Sequence, residues 1–157
     1  MRTHKQGMTL IEILITVSII GVLAAFIIPA VAKANEHGDN ARVASKMRIA
    51  INAFELCKGE NGSYPPDVNR AVVPPAMSDY FADLGIDWWS DYNELGTKWD
   101  WDEGNNFAYA VSFVTDPGVS LPEDQMKDFD ALLDDGVLTT GHLRMVTAGR
   151  YQYILEE

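Results

Sequence analysis

An uninterrupted apolar run near the N-terminus most constrains what this chain can fold into. Residues 13–32 read ILITVSIIGVLAAFIIPAVA and contain no charged side chain. Twenty helical residues span about 30 Å, the thickness of the hydrocarbon core of a bilayer. A helix that is apolar on every side is buried in a large core or in a membrane. The run therefore predicts a membrane-spanning helix, with a buried core helix as the alternative.

The residues that precede this run, MRTHKQG, form a short basic flank. Arg2 and Lys5 are expected on the cytoplasmic side, because cytoplasmic flanks carry an excess of Lys and Arg. An ordinary secretory signal would be cut at small residues after the run, and Ala30 and Ala32 leave that alternative open. Glu12 places a carboxylate beside the apolar run, where a charge without a partner is unfavourable. Glu12 is therefore a candidate functional residue.

The string Gly7-Met8-Thr9-Leu10-Ile11-Glu12 joins these features. A basic leader, a Gly, a hydrophobic residue, Thr-Leu-Ile-Glu and an uncharged span resemble the class III signal of type IV pilins and type II secretion pseudopilins. The family usually has Phe after the Gly, where this chain has Met8. The resemblance implies that a prepilin peptidase cuts between Gly7 and Met8 and methylates the new amine of Met8. It also implies that Glu12 pairs with the Met8 amine of a neighbouring subunit during assembly.

An amphipathic helix is predicted to follow the apolar run. Its apolar residues recur at steps of three and four, as one helical face requires; they are Val43, Met47, Ala50, Phe54 and Cys57. We expect this face to pack on the protein's own sheet, with Cys57 as a small buried apolar residue. The segment Asn61–Pro66 should end the helix, because Gly and Asn tolerate left-handed backbone and Pro cannot continue a helix.

The rest of the chain predicts a small antiparallel sheet. Residues 67–106 are predicted to be mainly loop and short helix, because Pro and Gly interrupt them. Residues 107–114 have the composition of a strand, and residues 142–147 and 151–155 predict two more, joined by a turn. A short helix is expected over 124–133, with Met126, Phe129, Leu132 and Leu133 facing inward. These segments indicate three or four antiparallel strands.

The predicted fold class is α+β and, by the resemblance, pilin-like. A long N-terminal helix would span the membrane with its first half and pack on the small antiparallel sheet with its second half. The expected organisation is a cleaved prepilin leader at 1–7, a transmembrane helix half at 8–32, an amphipathic helix half at 33–58 and a periplasmic globular domain at 59–157.

Charge and cysteine content exclude several classes of protein. The chain has 12 Lys and Arg against 23 Asp and Glu, for a net charge of −11. Residues 79–135 contain fifteen acids and only two bases, Lys98 and Lys127. This acidity argues against nucleic-acid binding, which needs a basic face to displace counterions from phosphates. Cys57 is the single cysteine, which excludes an intrachain disulfide and a Cys-cluster zinc site.

Four tryptophans beside acids form the first candidate binding cluster: Trp88, Trp89, Trp99 and Trp101. Exposed aromatic rings beside carboxylates could stack on sugars. Large aromatics also complete a thin hydrophobic core, and we favour that interpretation. Sugar binding and a contact between subunits remain the alternatives.

Clustered carboxylates near a glycine turn form the second candidate site. Asp130, Asp134 and Asp135 precede Gly136, and oxygen ligands of this kind suit a hard cation such as calcium. Their spacing is not that of an EF-hand loop. The resemblance adds that major pseudopilins often carry a calcium site in their late loops. A polar turn with Asp caps is the alternative.

The sequence carries no Gly-x-Ser-x-Gly, phosphate-loop, HExxH or CxxC motif, so we do not expect an enzyme. The resemblance implies a structural subunit of a pilus-like filament, namely a type II secretion pseudopilin that supports protein export. Its implied partners are the prepilin peptidase, other pilin or pseudopilin subunits, an inner-membrane assembly platform and the membrane itself, with no nucleic acid. Its implied location is the bacterial inner membrane, with the globular domain in the periplasm. The alternatives are a type IV pilin or minor pilin for adhesion, motility or DNA uptake, and a pilin-anchored calcium- or sugar-binding module.

Overall fold

The computed structural model describes residues 8–104 and 106–157, so Gly7 and the rest of the predicted leader lie outside the described residues. The chain divides into two compact units, an N-terminal unit that ends at Glu36 and a C-terminal unit, His37–Glu157. Its elements in chain order are α1 (Leu10–Asn61), a 3-10 turn (Pro75–Met77), α2 (Ser78–Asp83), β1 (Lys98–Glu103), β2 (Tyr109–Val114), α3 (Glu123–Leu133), β3 (Leu143–Thr147) and β4 (Arg150–Glu156).

The N-terminal unit is helical from Leu10 onward, and it contains the predicted apolar span. The helix is long and apolar enough to cross a membrane, and none of its most apolar window is buried. The alternative of a buried core helix is therefore wrong for the part of the chain that is described. Pro29 lies inside the helix, where it removes one backbone hydrogen bond. Membrane-spanning helices tolerate such a break, because neighbouring helices can satisfy the freed backbone groups.

In the C-terminal unit, α1 buries the face that the periodicity predicts. The five residues of that face, from Val43 to Cys57, are all buried in one hydrophobic cluster. The Phe54 ring stacks on the ring of Trp101 in β1, with centroids 4.0 Å apart. The helix ends at Asn61, and Gly62 follows with a φ of 78°, a left-handed conformation that favours glycine. The prediction for this helix segment and its end is confirmed.

The four strands form one antiparallel sheet in the order β1-β2-β4-β3. One face of the sheet supplies the core with side chains that alternate along the strands, among them Trp99, Trp101, Val111 and Phe113. The α+β architecture, with a long helix packed on a small antiparallel sheet, confirms the predicted fold class.

The segment predicted to be mainly loop and short helix differs from the structure at its end. It contains the short helix α2, as expected, but its last residues form the complete strand β1. In β1 the tryptophans point into the core while Asp100 and Asp102 lie on the other face. Because Asp is depleted in strands, the two aspartates argued against a strand here, although Trp and Asp alternate with the period of two that a strand has. In α3, Met126 and Phe129 are buried as expected, whereas Leu132 is exposed because it lies on the solvent side of the last turn.

Candidate functional site

The predicted processing motif begins α1 with a reciprocal cap. The backbone N–H and the hydroxyl of Thr9 both donate to a carboxylate oxygen of Glu12, each at 2.8 Å. The backbone N–H of Glu12 lies 3.3 Å from the Thr9 hydroxyl oxygen, to which it donates. This is the Ser/Thr-x-x-Glu capping box, which satisfies donors that the first helical turn leaves free. Thr9 and Glu12 therefore have a structural role within one chain, independent of any role in assembly.

Met8 precedes the helix and is 67% exposed. The predicted cleavage partner Gly7 lies outside the described residues. Between Leu10 and Val31 the large apolar side chains of α1 are exposed. An apolar surface of this extent is characteristic of contact with lipid or with other subunits.

The three predicted metal-binding aspartates lie together at the C-terminal end of α3. One carboxylate oxygen from each of Asp130, Asp134 and Asp135 lies within 4.8 Å of the others. Asp134 accepts hydrogen bonds from the backbone N–H groups of His142 and Leu143. These bonds join the acidic loop to the start of β3 and fix the orientation of the Asp134 carboxylate.

Asp135 is held by its own loop. Its two oxygens accept hydrogen bonds from the backbone N–H of Val137 and from the hydroxyl of Thr140, both at 2.8 Å. Gly141 closes the loop with a φ of 70°, and a Cβ at this position would overlap the Asp134 carboxylate. The loop therefore requires glycine here for both conformation and space.

Asp130 is the unusual member of this cluster. It is 0% exposed, and the backbone N–H groups of Gly136 and Val137 face its carboxylate, although neither oxygen makes a hydrogen bond of ordinary geometry with the described residues. Burial, followed by the nearby charges of Asp134 and Asp135, raises the pKa of Asp130 from 3.8 to about 6. A buried carboxylate that faces two others is unfavourable unless it binds a proton or a cation. The donor set consists of hard oxygens and fits calcium.

The tryptophan cluster is mainly part of the core. Trp89, Trp99 and Trp101 are buried, and only Trp88 is partly exposed. The indole N–H groups of Trp89 and Trp101 donate to the backbone carbonyls of Val72 and Pro65, at 3.0 and 2.9 Å. Three of the four rings therefore have no free face for a sugar, and the core interpretation is confirmed for them.

A polar network on the opposite face of the sheet was not found from the sequence. Arg150 of β4 donates to Asp100 at 2.7 Å and also to Asp102, and both aspartates are buried. Asp102 also accepts hydrogen bonds from Ser112 and Gln152. Burial raises the pKa of Asp100 to about 6, despite the nearby Arg150. The alternation of Trp and Asp in β1 was the available signal, but the pairing with Arg150 required the sheet register.

Comparison with known proteins places the N-terminal motif in context. Residues 2–28 match the family model described as the prokaryotic N-terminal methylation motif. The chain is similar to type II secretion system core protein G of Escherichia coli K12, at 33% identity over 86 residues that cover 50% of this chain and 59% of the relative. The same-named protein of Pectobacterium carotovorum is 29% identical over 105 residues, which cover 59% of this chain and 67% of that protein.

A third relative comes from a different class. Type IV major fimbrial protein FimA of Dichelobacter nodosus is 42% identical over 77 residues, which cover 45% of this chain and 44% of that protein. The chain therefore spans between two fifths and two thirds of the length of these relatives. No solved structure gives a significant match. The predicted resemblance to proteins with a prepilin-type N-terminus is confirmed by the motif and by these relatives.

Proposed function

We propose that this chain is a structural subunit of a pilus-like filament, of the type II secretion pseudopilin kind, which supports protein export. The observation that carries the proposal is the methylation motif over residues 2–28, joined to an exposed apolar helix in the N-terminal unit. The similarity to core protein G relatives favours the secretion system. The role is structural, and the chain has no enzymatic activity of its own.

The subunit is inserted in the inner membrane before assembly, with its N-terminus in the cytoplasm and residues 33–157 in the periplasm. Arg2 and Lys5 support this orientation. Prepilin peptidase cuts between Gly7 and Met8 and methylates the Met8 amine. The exposed apolar helices of several subunits then bundle on an inner-membrane assembly platform, in a head-to-tail arrangement that does not close.

Glu12 has two roles in the proposed function. Within one chain it completes the capping box with Thr9. In the filament its carboxylate pairs with the Met8 amine of a neighbouring subunit. Opposite charges attract strongly in a medium of low dielectric constant, and either one alone would be costly there. The pair therefore selects the axial register of adjacent helices.

Two substitutions separate these roles of Glu12. Glu12→Gln keeps a capping-box residue but removes the charge, whereas Thr9→Ala removes the cap but keeps the charge. We expect Glu12→Gln to block filament assembly in cells while cleavage continues, and Thr9→Ala to assemble. Glu36→Gln is the matched control for loss of one acid in the same unit. Normal filaments from the Glu12→Gln chain would contradict the charge-pairing role.

A type IV pilin is the second candidate function, and the 42% identity to a fimbrial protein favours it. Pilins for motility or adhesion form surface pili that the secretion system does not require. Expression in a strain that lacks its secretion core protein distinguishes the two candidates. Restored export supports the pseudopilin proposal, whereas surface pili without export would favour the type IV pilin.

We also propose that Asp130, Asp134 and Asp135 bind calcium in the folded subunit. The burial of the Asp130 carboxylate beside the carboxylates of Asp134 and Asp135 supports this proposal. Calcium at one hundred times its dissociation constant would stabilise the fold by about 2.7 kcal/mol. We expect millimolar calcium to raise the melting temperature of the full chain in detergent and the Asp130→Asn chain to lose this response. Asp128→Asn, at an exposed position of α3, is the control, and an unchanged wild-type melting temperature would exclude the site.

A further inference from the structure

A groove on the surface of the C-terminal unit has an apolar floor. It lies between the last turns of α1 and the end of α2, with a volume of about 560 Å³. Its floor contains Leu56 and Leu84, which are 48% and 39% exposed. Gly59 lines the same groove, and nothing lies within 4 Å of where its Cβ would be. Two large apolar side chains are thus in contact with solvent, and the space beside Gly59 is unfilled.

The rim of this groove is acidic. Glu55, Glu60, Asp79 and Asp83 line it and the cleft that continues from it along α2. Two of these acids are oriented by tyrosine hydroxyls: Tyr64 donates to Glu55 at 2.7 Å, and Tyr80 donates to Glu60 at 2.6 Å. No Lys or Arg lines either cavity in the described part of the chain. The negative charge of the rim would therefore attract a cationic group of another molecule.

The nearby Lys58 does not serve as that cation. It pairs with Glu156 at the end of β4 and lies over the ring of Tyr64. Its position on α1 therefore directs its charge toward the sheet and away from the groove. The groove is consequently an acidic surface with an apolar centre, suited to an arginine whose stem packs on apolar groups while its guanidinium binds carboxylates.

The same helix offers such an arginine. The side chain of Arg42 is 68% exposed and pairs with Asp39 at 3.1 Å, and its charge also acts on the more distant Glu94. An exposed pair of this kind contributes little and can be exchanged for a better one. Arg42 and Glu60 are 18 residues apart, which is five helical turns. Both therefore lie on the same exposed face of α1, about 27 Å apart along its axis.

We propose that the groove of one subunit receives the Arg42 side chain of a second copy of this chain. The contact rests on the proposed filament function. Each copy carries both Arg42 and the acidic groove, at different positions along the axis of α1. The contact is therefore heterologous and can repeat from subunit to subunit. It aligns parallel copies of α1 with an axial offset of about 27 Å. Leu56 and Leu84 become covered in the filament.

A charge exchange in the full-length chain tests the contact. Arg42→Glu should reduce the amount of filament by up to about fivefold, because an exposed ion pair contributes up to about that factor. Adding Asp83→Arg to Arg42→Glu should restore assembly. Asp124→Arg, at an exposed position of α3, is the control for net charge. Wild-type assembly by the Arg42→Glu chain, or no restoration by the exchange, would overturn the proposal.

Cysteine cross-linking supplies a measurement that does not depend on charge. Filaments that carry Arg42→Cys together with Asp83→Cys should give a ladder of disulfide-linked subunits, and each single variant should not. The native Cys57 is buried and should not contribute. Assembled filaments without a ladder would overturn the contact. The groove variants and the Glu12→Gln variant test different proposals. If Glu12→Gln blocks assembly but the groove variants have no effect, only the proposal of the Arg42 contact is refuted. Filaments from the Glu12→Gln chain would instead contradict the proposed assembly mechanism.

Discussion

Replacing Arg150 with Met is expected to destabilise the C-terminal unit by about 3–5 kcal/mol at pH 7.5. The substitution keeps a long apolar stem but removes the cation that faces Asp100 and Asp102. The side chains of these two aspartates are only 7% and 4% exposed. Two buried carboxylates then remain without their arginine, and burial of an uncompensated charge has this cost.

The loss should depend on pH. Burial already raises the pKa of Asp100 to about 6 in the presence of Arg150, which acts to lower it. Removing Arg150 therefore raises this pKa further. Asp100 holds a proton in the folded protein at pH values where the unfolded chain has released it, so its carboxylate reduces stability as the pH rises. We expect the Arg150→Met loss to be smaller at pH 4.5 than at pH 7.5.

The assay is urea unfolding of the full chain in detergent, followed by tryptophan fluorescence. All four tryptophans lie between residues 88 and 101, so the signal reports on the C-terminal unit alone. Arg144→Met is the matched control, because Arg144 pairs with the exposed Glu157 and should lose less than about 1 kcal/mol. Adding Asp100→Asn to Arg150→Met should recover part of the stability. A loss below about 1 kcal/mol for Arg150→Met, or equal losses at both pH values, would refute this reasoning.

Three further predictions use the same unfolding assay. Phe54→Ala should cost about 3–5 kcal/mol, because it leaves a cavity in the aromatic core, and a cost below about 1 kcal/mol would contradict that packing. Gly141→Ala should cost about 1–3 kcal/mol, since its Cβ overlaps the Asp134 carboxylate in a left-handed turn; an unchanged midpoint would be inconsistent with the loop geometry. Without calcium, stability should fall between pH 4 and pH 7, because the raised pKa values of Asp100 and Asp130 favour the protonated folded state, and a rise across this range would contradict both shifts.

Local sequence patterns were sufficient to predict the long helix, the N-terminal processing motif and the aspartate cluster. The 3.6-residue periodicity of Val43 to Cys57 is a property of α1 alone, and the structure buries all five residues. The Thr9 to Glu12 motif and the acids at 130–135 are likewise contiguous in the chain. Their residues come together through one helix turn or one loop, so no knowledge of the tertiary fold was needed.

Features that depend on distant segments were not accessible in this way. Strand β1 was missed because aspartate disfavours strands, and only the sheet shows that Asp102 meets Arg150, 48 residues later. The acidic groove combines the end of α1 with Leu84 at the end of α2. The burial of Asp130 was also not predictable from the sequence, because burial is a property of the packed loop.

The most direct test of the filament-subunit account is N-terminal mass spectrometry of the chain purified from the membrane fraction of cells that contain a prepilin peptidase. We expect a mature chain that begins at Met8 with a methylated amine and retains the whole apolar span. The Gly7→Ala chain should instead keep residues 1–7. A wild-type chain that begins after Ala32, or that retains the leader in the presence of an active peptidase, would contradict the account.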